Sequence, residues 1–569
     1  MKVALFALIF IASTLAMFQD ITMQAGVVTE QQPFPIDNCV FDNCIPDSMS
    51  GGAAVGDYNN DGYPDIFVAR LFGRDMLYRN NHDGTFSDVS MSAGLSMTQN
   101  HRSNGVLWVD VDNDGDLDLY VLTLGNPLGA TPNGNRYFFY VNNGDGTFTE
   151  DAIRRGLAFD DGSARYGTSA TCGDFDNDGH VDIHINQWDQ NGTFIDVLHT
   201  RLLRNRGDGS FEDVTDDHDF VDNGFNTSFE RETFFSSTFV DMDKDGDADL
   251  LMSGDFTKSR FYRNDDGHYV DITVSSRCCD EDNGMGTAFG DLDKNGYLDW
   301  FITSVWDEGK TGNRMFMNDG SNVFTDMTDE TNTREADWGW GAHMFDMDND
   351  GDLDVINTNG QYYNKEFFVT DKTRLWENVN GNGMNMPEVA SNYGITDDGI
   401  GKSAVALDFD LDGDLDVLIS QTGPGIILYE NMFNNGNDWI RIKAHGRMTN
   451  KLGYGVQISV WPRQGDKVIY QEMGVGGHFL GHSEAAVAQF GLGNLGNDNI
   501  YRIEAYFPVS RRTVTLNNVM KNQELVIEEP STAAPQSSDS SRDSSNSSES
   551  SSASILAPLA ALVATLALF

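Results

Sequence analysis

Aspartates recur at alternate positions in short segments of this 569-residue chain, and the densest segment reads DVDNDGDLD from Asp110 to Asp118. Carboxylates this close repel one another, so the arrangement is stable only with a cation among them. Calcium takes six to eight oxygen ligands at about 2.3–2.6 Å. A curled loop with a glycine in the sixth place can supply them from alternate residues. The segment therefore predicts a calcium site.

The EF-hand is the usual interpretation of D-x-D-x-D-G, and two features argue against it here. That loop requires a glutamate at its twelfth place and a helix on either side. The twelfth place here is Val121, and the flanks VLWVD and LDLYVL are rich in residues that favour strands. We therefore interpret the loop as a β-hairpin turn closed by a metal. Its ligands are the side chains at places one, three, five and nine and the backbone carbonyl at place seven.

The same nine-residue frame occurs seven times, and each copy is followed by an apolar, strand-like run. The residues at places one, three, five, seven and nine are Asp57, Asn59, Asp61, Tyr63, Asp65; Asp110, Asp112, Asp114, Asp116, Asp118; Asp174, Asp176, Asp178, His180, Asp182; Asp241, Asp243, Asp245, Asp247, Asp249; Asp291, Asp293, Asn295, Tyr297, Asp299; Asp346, Asp348, Asp350, Asp352, Asp354; and Asp408, Asp410, Asp412, Asp414, Asp416. Seven copies predict about seven bound calcium ions. The first and fifth copies have one carboxylate fewer, at Asn59 and Asn295, and should bind calcium more weakly.

A second pattern follows each aspartate loop, as in LYRNNHDGTFSDV from Leu77 and LLRNRGDGSFEDV from Leu202. A strand, an Asp-Gly or Asn-Gly turn and an aromatic-led strand are typical of a β-hairpin. Two hairpins per repeat make about four strands, the content of one propeller blade. The sequence thus predicts an all-β fold with a seven-bladed β-propeller over residues 48–436, several blades having long inserted loops.

At this point the chain resembles the FG-GAP or VCBS-like repeats of the integrin α propeller, and more closely the cartilage acidic protein family. Members of that family follow their repeats with an ASPIC and UnbV domain, and residues 437–529 are similar to one. The similarity lies in the glycine-spaced opening at Gly446, Gly453 and Gly455 and in the FGLG at Phe490. The resemblance implies a calcium-binding propeller followed by a small C-terminal β-sandwich-like domain.

The beginning of the chain predicts secretion. Residues 1–16 combine one lysine with an apolar run and a small residue at Ala16, as in a signal peptide. Residues 17–47 then form an N-terminal segment in which Cys39 and Cys44 are expected to form a local disulfide.

The other end predicts a surface attachment. Residues 530–554 are a serine-rich stalk, and residues 555–569 are an apolar tail. Such a tail is shorter than the about 20 residues of a spanning helix and fits a GPI-attachment signal; the alternative is a short tail-anchored helix. We expect an extracellular protein, either held on the outer face of the plasma membrane by GPI or secreted. It should be glycosylated at the sequons that begin at Asn191, Asn226 and Asn546.

The composition excludes two classes of partner. Lys plus Arg number 37 and Asp plus Glu 88, a net charge of −51, which is incompatible with nucleic-acid binding and with docking on an anionic membrane surface. Of the five cysteines, the adjacent Cys278 and Cys279 are not expected to bond each other. Cys172 is expected to be a buried free thiol.

Three smaller motifs have both a functional and a structural interpretation. They are the adhesion tripeptide Arg206–Asp208, the pair His478 and His482, and the pair Trp338 and Trp340. The tripeptide falls at a predicted hairpin tip, the histidines lack the glutamate of H-E-x-x-H, and the tryptophans precede the sixth loop. These features favour a structural role for each motif: for the tripeptide over integrin recognition, for the histidines over a zinc site, and for the tryptophans over a carbohydrate site in the propeller channel.

No catalytic signature appears in the sequence: it has no G-x-S-x-G elbow, no Walker loop and no Cys/His zinc cluster. The leading hypothesis is a non-enzymatic, monomeric surface protein. Its calcium-stabilised propeller would serve adhesion or bind an unknown protein or glycan ligand. The alternatives are a propeller-type polysaccharide lyase or hydrolase and a carbohydrate-binding lectin.

Overall fold

The fold is described by a computed structural model. It describes residues 17–29, 49–71, 73–124, 136–160, 166–188, 200–218, 220, 233–255, 258–307, 309–361, 368–397, 399–422, 425–475, 479–482 and 486–531. The predicted signal peptide, the Cys39–Cys44 bridge, the three sequons, and nearly all of the stalk and tail lie outside these residues.

Short strands make up most of the described chain. The strands are β1 Phe18–Asp20, β2 Ala53–Gly56, β3 Asp65–Val68, β4 Met76–Asn80, β5 Phe86–Asp88, β6 Ser103–Val109, β7 Asp118–Thr123, β8 Phe138–Asn142, β9 Phe148–Glu150, β10 Tyr166–Gly173, β11 Asp182–Trp188, β12 Thr200–Asn205, β13 Phe211–Asp213, β14 Thr233–Val240, β15 Asp249–Asp255, β16 Arg260–Asp265, β17 His268–Asp271, β18 Thr287–Gly290, β19 Asp299–Ile302, β20 Arg314–Met317, β21 Thr325–Asp326, β22 Gly339–Phe345, β23 Asp354–Asn359, β24 Arg374–Trp376, β25 Ile400–Leu407, β26 Asp416–Thr422, β27 Gly425–Asn431, β28 Asp438–His445, β29 Gln457–Trp461, β30 Ile469–Glu472, β31 Ala488–Gly493, β32 Ile500–Phe507, β33 Arg512–Val519 and β34 Glu524–Glu528.

The helices are single turns. They are α1 Thr22–Ala25, α2 Ala152–Arg155, α3 Thr273–Ser276, α4 Thr328–Thr331 and α5 Ala390–Tyr393, with 3₁₀ turns at Met97–Asn100 and Thr215–Asp217. None of the helices among the described residues is long and apolar enough to cross a membrane.

Seven antiparallel sheets form the blades of a propeller. Strands β2–β5, β6–β9, β10–β13, β14–β17 and β18–β21 form the first five blades; β22–β24 form the sixth, and β25–β27 with β1 form the seventh. The first strand of each blade contacts the first strand of the next, and β25 of the seventh blade contacts β2 of the first. The ring is therefore closed, and the predicted all-β propeller is confirmed.

The N-terminal strand belongs to the last blade. β1 pairs antiparallel with β27, with Phe18 opposite Asn431. The predicted start of the propeller at residue 48 is therefore wrong by one strand. The physical reason is ring closure: the last blade takes strands from both ends of the propeller, so the pairing of β1 with β27 ties the segment that leads into the first blade to the last blade.

The C-terminal part of the chain forms two further sheets. In one, β28 lies between β31, antiparallel, and β34, parallel; the other has the order β30-β29-β32-β33. Buried side chains from both sheets, among them Ile440, Ile458, Phe490 and Ile503, form a shared core. This C-terminal domain and the propeller lie in one compact unit, Met1–Ser531.

The cysteines give one correction. Cys278 and Cys279 form a disulfide, contrary to the expectation that neighbours would not bond. The chain turns back at Cys279, where φ is 70°, so that the two side chains meet. Cys172 is a buried free thiol, as expected.

Candidate metal centres

Each aspartate loop connects the first and second strands of its blade. In the second blade Val109 at the end of β6 pairs with Asp118 at the start of β7, and the intervening residues curl over the strand ends. The curl requires positive φ at places four and six, which are Asn113 at 57° and Gly115 at 96°. The other six loops repeat this pair of positive φ values. Their shared geometry places the same atoms at the same positions in every blade.

The place-one carboxylate organises the loop from inside. In the second loop Asp110 accepts hydrogen bonds from the backbone N–H groups of Asp114, at 3.2 Å, and Gly115, at 2.9 Å. The place-nine carboxylate of Asp118 accepts from the N–H groups of Val111, at 3.3 Å, and Asn142, at 2.8 Å. Each side chain is held in a fixed orientation, so the loop is preorganised for a cation.

Carboxylate oxygens converge in the loops as a metal site requires. Groups of three carboxylates offer oxygens that all lie within 4.8 Å of one another; they include Asp110, Asp112, Asp114; Asp174, Asp176, Asp182; Asp241, Asp243, Asp249; Asp291, Asp293, Asp299; and Asp346, Asp348, Asp350. These groups use places one, three, five and nine, the places that the spacing predicted for side-chain ligands. A hard, all-oxygen donor set of this kind fits calcium.

Burial makes the charged form of these carboxylates unfavourable unless a cation lies among them. Desolvation, together with the neighbouring carboxylates, raises the pKa of Asp110, Asp174, Asp241 and Asp291 at place one to about 7. Desolvation likewise raises the pKa of Asp65 at place nine to about 8. A divalent ion among the oxygens would favour their charged forms and so remove this cost.

Two arginines already neutralise part of this charge. Arg155 Nη2 lies 3.1 Å from Asp112 Oδ2, and Arg204 Nη2 lies 2.6 Å from Asp176 Oδ2. Each arginine contacts a place-three carboxylate at the edge of its loop.

The place-seven side chains point to neighbouring blades. Contacts with the place-four residue of the preceding loop join Asn60 to Asp116, Asn113 to His180, Asn177 to Asp247, Lys294 to Asp352 and Asn349 to Asp414. The side chain at place seven is thus used between blades, which agrees with a role for its backbone carbonyl as the ligand. The sequence feature that indicates this link is the recurrence of Asn or Lys at place four of most loops.

Seven asparagines at the end of the third strand were missed by the sequence reasoning. They are Asn80, Asn142, Asn205, Asn264, Asn318, Asn378 and Asn431. The backbone N–H of Asn142 donates to the place-nine carboxylate of Asp118, while its Nδ2 donates to the Tyr58 carbonyl in the loop of the preceding blade at 2.7 Å. Asn80 makes the equivalent bond to Phe409 of the seventh blade, at 2.8 Å. These residues connect every metal loop to the next blade.

The C-terminal domain covers the face that carries the loops. Gln457 Nε2 donates to the place-one carboxylate of Asp241 at 2.6 Å, and Lys467 Nζ donates to the Asp293 carbonyl at 2.9 Å. Trp439 packs on Gly413, where a Cβ would lie 1.9 Å from the indole nitrogen. Glycine at place six of the seventh loop is therefore required by this contact as well as by its φ of 96°.

A segment of the same domain enters the propeller channel. The carbonyl of Leu480 accepts a hydrogen bond from Val106, and that of His482 accepts one from Val55, both on first strands of blades. Phe479 packs on Trp340 and Phe235, with ring centroids 5.0 and 5.6 Å apart. The channel is filled by protein at this level.

This packing gives the surroundings of one residue from each of two smaller motifs. Trp340 is 0% exposed and its Nε1 donates to the Gly360 carbonyl, so it is a packing residue, unavailable to a sugar. His482 is buried in the channel segment, whereas His478 lies outside the described residues.

The adhesion tripeptide occupies a hairpin tip, between β12 and β13. Asp208 accepts hydrogen bonds from the backbone and hydroxyl of Ser210, and Arg206 Nη2 lies 3.4 Å from Glu212. The tripeptide therefore lies at the hairpin tip that the sequence predicts, and both of its charged side chains have partners within the hairpin.

Two known protein families match different parts of the chain. Residues 57–121 and 241–302 match the FG-GAP-like repeat, and residues 446–534 match the ASPIC and UnbV domain. The predicted combination of repeats and C-terminal domain is therefore confirmed.

Similar proteins include cartilage acidic protein 1 of Mus musculus, 23% identical over 506 residues that cover 84% of this chain and 74% of that protein. Cartilage acidic protein 1 of Xenopus tropicalis is 28% identical over 203 residues, which cover 36% of this chain and 28% of that relative. Among solved structures, YCF48 from Cyanidioschyzon merolae has a TM-score of 0.39 at 8% identity, over 67% of this chain and 95% of that one.

Proposed function

This chain combines FG-GAP-like repeats with an ASPIC and UnbV domain and is similar to the cartilage acidic proteins, and from this premise we propose that it is a non-enzymatic, extracellular, calcium-stabilised binding protein. The observation that carries the proposal is the repeated loop: preorganised carboxylate groups in blade after blade, each linked to its neighbour. Calcium would act as a structural staple in every loop and make the propeller a rigid support for adhesion or ligand binding.

One cluster of buried charges, between the propeller and the C-terminal domain, lines a cavity that is poorly suited to a polysaccharide substrate. His343, His482, Arg441 and Glu472 line a cavity of about 90 Å³ between the propeller and the C-terminal domain. Small-molecule sites usually measure about 300–1,000 Å³, so this cavity is too small for a sugar chain. With Trp340 buried, the proposed lectin site in the channel also loses its main aromatic surface.

The attachment to the cell is part of the proposal. A signal peptide over residues 1–16 and a GPI signal over residues 555–569 would place the propeller outside the cell on a serine-rich stalk. The calcium concentration there is millimolar, which suits extracellular calcium modules with dissociation constants of about 10⁻⁴–10⁻³ M.

The test uses the full chain expressed in suspension-cultured animal cells. We expect surface staining that phosphatidylinositol-specific phospholipase C removes, and retention of the cells on matrix-coated plates in calcium but not after chelation. The matched control variant carries asparagine in place of three aspartates of the second loop: Asp110 at place one, Asp112 at place three and Asp118 at place nine. Surface staining that resists the lipase would contradict the anchor, and shortening of matrix polysaccharides by the cells would contradict the non-enzymatic role.

A further inference from the structure

The first and last strands of the C-terminal domain pair with each other in parallel. β28 follows the last strand of the seventh blade, and β34 precedes the serine-rich stalk that begins at residue 530. Five residue pairs join the two strands, from Arg441 opposite Glu524 to His445 opposite Glu528. In the part of the chain that the structure describes, β34 pairs with no strand except β28. The propeller is therefore connected to one end of this strand pair, and the stalk is connected to the opposite end.

This connection decides how tension would act on the pair. If the stalk and the propeller are pulled apart, β28 and β34 are pulled in opposite directions along their axes. The evenly spaced hydrogen bonds of a parallel ladder then share the load, whereas peeling one strand from its end breaks the bonds one at a time. An antiparallel pair would have both connections at the same end and would open by peeling.

Basic and acidic side chains face each other across the pair. Three basic side chains lie at alternate positions of β28 and a fourth follows in the next turn, while their two carboxylate partners lie on β34. The contacts are Arg441 Nε to Glu524 Oε2 at 3.1 Å, Lys443 Nζ to the same oxygen at 3.2 Å, His445 Nδ1 to Glu528 Oε1 at 3.2 Å and Arg447 Nη2 to Glu528 Oε2 at 3.5 Å. Opposite charges on facing strands stabilise the pairing, and sliding of β34 along β28 would break these contacts.

A buried carboxylate closes the end of the pair that is nearest the stalk. Glu529 directly follows β34 and is 1% exposed. Its Oε2 accepts hydrogen bonds from the backbone N–H groups of Arg447, of Met448 at 2.7 Å and of Thr449 at 3.0 Å, and its own N–H donates to the His445 carbonyl at 2.9 Å. Hydrogen bonds to a carboxylate are stronger than those between neutral groups. Peeling of β34 from this end would have to begin by breaking them.

The opposite end of the pair is fastened as well. Asp438, at the start of β28, accepts hydrogen bonds from Lys521 Nζ at 2.6 Å and from Asn522 Nδ2 at 2.9 Å. The backbone N–H of Asn522 donates to the Trp439 carbonyl at 2.7 Å, and the Trp439 N–H donates to Asn522 Oδ1 at 2.9 Å. Each end of the strand pair thus has side-chain contacts in addition to the backbone ladder.

We propose that β28 and β34 form a mechanical clamp, which transmits tension from a ligand held by the propeller to the stalk on the cell surface. The inference rests on the proposed function, because adhesion at the propeller and attachment through the stalk supply the two points at which force is applied. In this role the clamp keeps β34 paired, and the C-terminal domain folded, while an attached cell is pulled.

The test is single-molecule force spectroscopy of the full chain in calcium, with DNA handles joined to introduced cysteines. One handle is attached at Ser538→Cys in the stalk. The other is attached either at Asn434→Cys, before β28, which shears the pair, or at Met448→Cys, after β28, which peels β34 from the Glu529 end. Asn434 and Met448 are both exposed, whereas the chain's own free thiol at Cys172 is buried.

We expect the rupture force in shear to be at least about twice that in peeling, since forced unfolding is governed by the unfolding rate, which falls when many bonds must break together. In the shear geometry Glu529→Ala should lower the rupture force by about a third or more. The matched control, Glu504→Ala, removes a glutamate that pairs with Arg502 within β32 and should lower the rupture force by less than about a tenth.

Equal forces in the two geometries, or equal losses in the two variants, would overturn the inference. The comparison of the two geometries leaves the strand pair unchanged, so it decides the question even if Glu529→Ala does not fold. Release of the chain from cells by the lipase and its stabilisation by calcium test the proposed function separately. Both results persist if only the clamp fails, and their absence beside unequal forces would contradict the proposed function alone.

Discussion

At the residue scale, the aspartates of each loop and the asparagine that ends the third strand form one hydrogen-bonded system. Asn142 donates from its backbone to Asp118 and from its amide to carbonyls of two loops, those of Leu117 and Tyr58. Its Oδ1 accepts from Gly144. A single buried side chain therefore satisfies groups in two blades, and its loss leaves several of them unpaired.

The first prediction concerns this residue. Asn142→Ala should lower the free energy of unfolding by about 2–3 kcal/mol, because buried carbonyls lose their donor. Urea unfolding in the presence of calcium measures this change in the free energy of unfolding. The control is Asn143→Ala at the exposed neighbouring position, expected to cost less than about 1 kcal/mol; equal losses for the two variants would argue against an inter-blade role.

The second prediction concerns pH. The buried place-one carboxylates have a folded pKa of about 7 without metal, above the unfolded value of about 3.9. The folded state then holds protons that the unfolded state releases, so stability without calcium should fall as pH rises from about 4 to 7.

Calcium binding requires the deprotonated carboxylates, so its effect on stability should run the opposite way and grow with pH. Melting temperatures in metal-free and calcium-containing buffers at pH 5, 6, 7 and 8 separate the two trends. A metal-free melting temperature that rises with pH over this range would contradict the assignment of the loops as buried, strained carboxylate sites.

At the element scale, the repeat carries most of the fold. Alternating strands and turn residues predicted the hairpins, and the aspartate spacing predicted which side chains converge. The asparagine ring was visible only as a recurrent Asn after the third strand, as in YVNN. Its partners lie in another blade, 329 residues away for Asn80 and Phe409, so a local pattern could not assign its role.

The remaining errors also depend on distant contacts. The strand at Phe18 is too short to stand out by itself and is stabilised by pairing with β27. The bond between Cys278 and Cys279 depends on a local backbone turn that residue types do not reveal.

The third prediction belongs to the loops as elements. The fifth loop has Asn295 where most loops have aspartate, and one carboxylate fewer should weaken its calcium affinity. Asn295→Asp should therefore bind more calcium than the wild type at a total calcium concentration of about 10⁻⁴ M, near the dissociation constants of such modules, with the bound ions counted by native mass spectrometry. Asn143→Asp adds the same charge at a hairpin tip and should bind no additional calcium ion. An unchanged number of bound ions in Asn295→Asp would contradict the prediction that the fifth loop binds calcium more weakly.

At the scale of the whole molecule, the C-terminal domain and the propeller stabilise each other. The domain contacts the metal loops and places Phe479 and Leu480 among the channel residues. The pairing of β1 with β27 closes the propeller, and the C-terminal domain covers its loop face. A single blade therefore has little freedom to unfold by itself. The molecule should behave as one cooperative unit in spite of its length.

The fourth prediction follows from this contact. Scanning calorimetry in calcium should give a single transition for the propeller and the C-terminal domain together. Phe479→Ala removes a buried ring and should lower the stability by about 3–5 kcal/mol, whereas Met520→Ala, at an exposed site in the same domain, should have little effect. Two well-separated transitions in the wild type would show that the domains fold independently.

Thermal unfolding of the purified full chain with calcium and after chelation, with bound calcium counted by mass spectrometry, measures directly whether calcium in the loops stabilises the propeller. At millimolar calcium each site should contribute on the order of 1 kcal/mol by mass action, so several loops together should decide whether the propeller is folded. We expect about seven bound ions and a large, reversible fall in melting temperature on chelation. Few bound ions and an unchanged melt would contradict it.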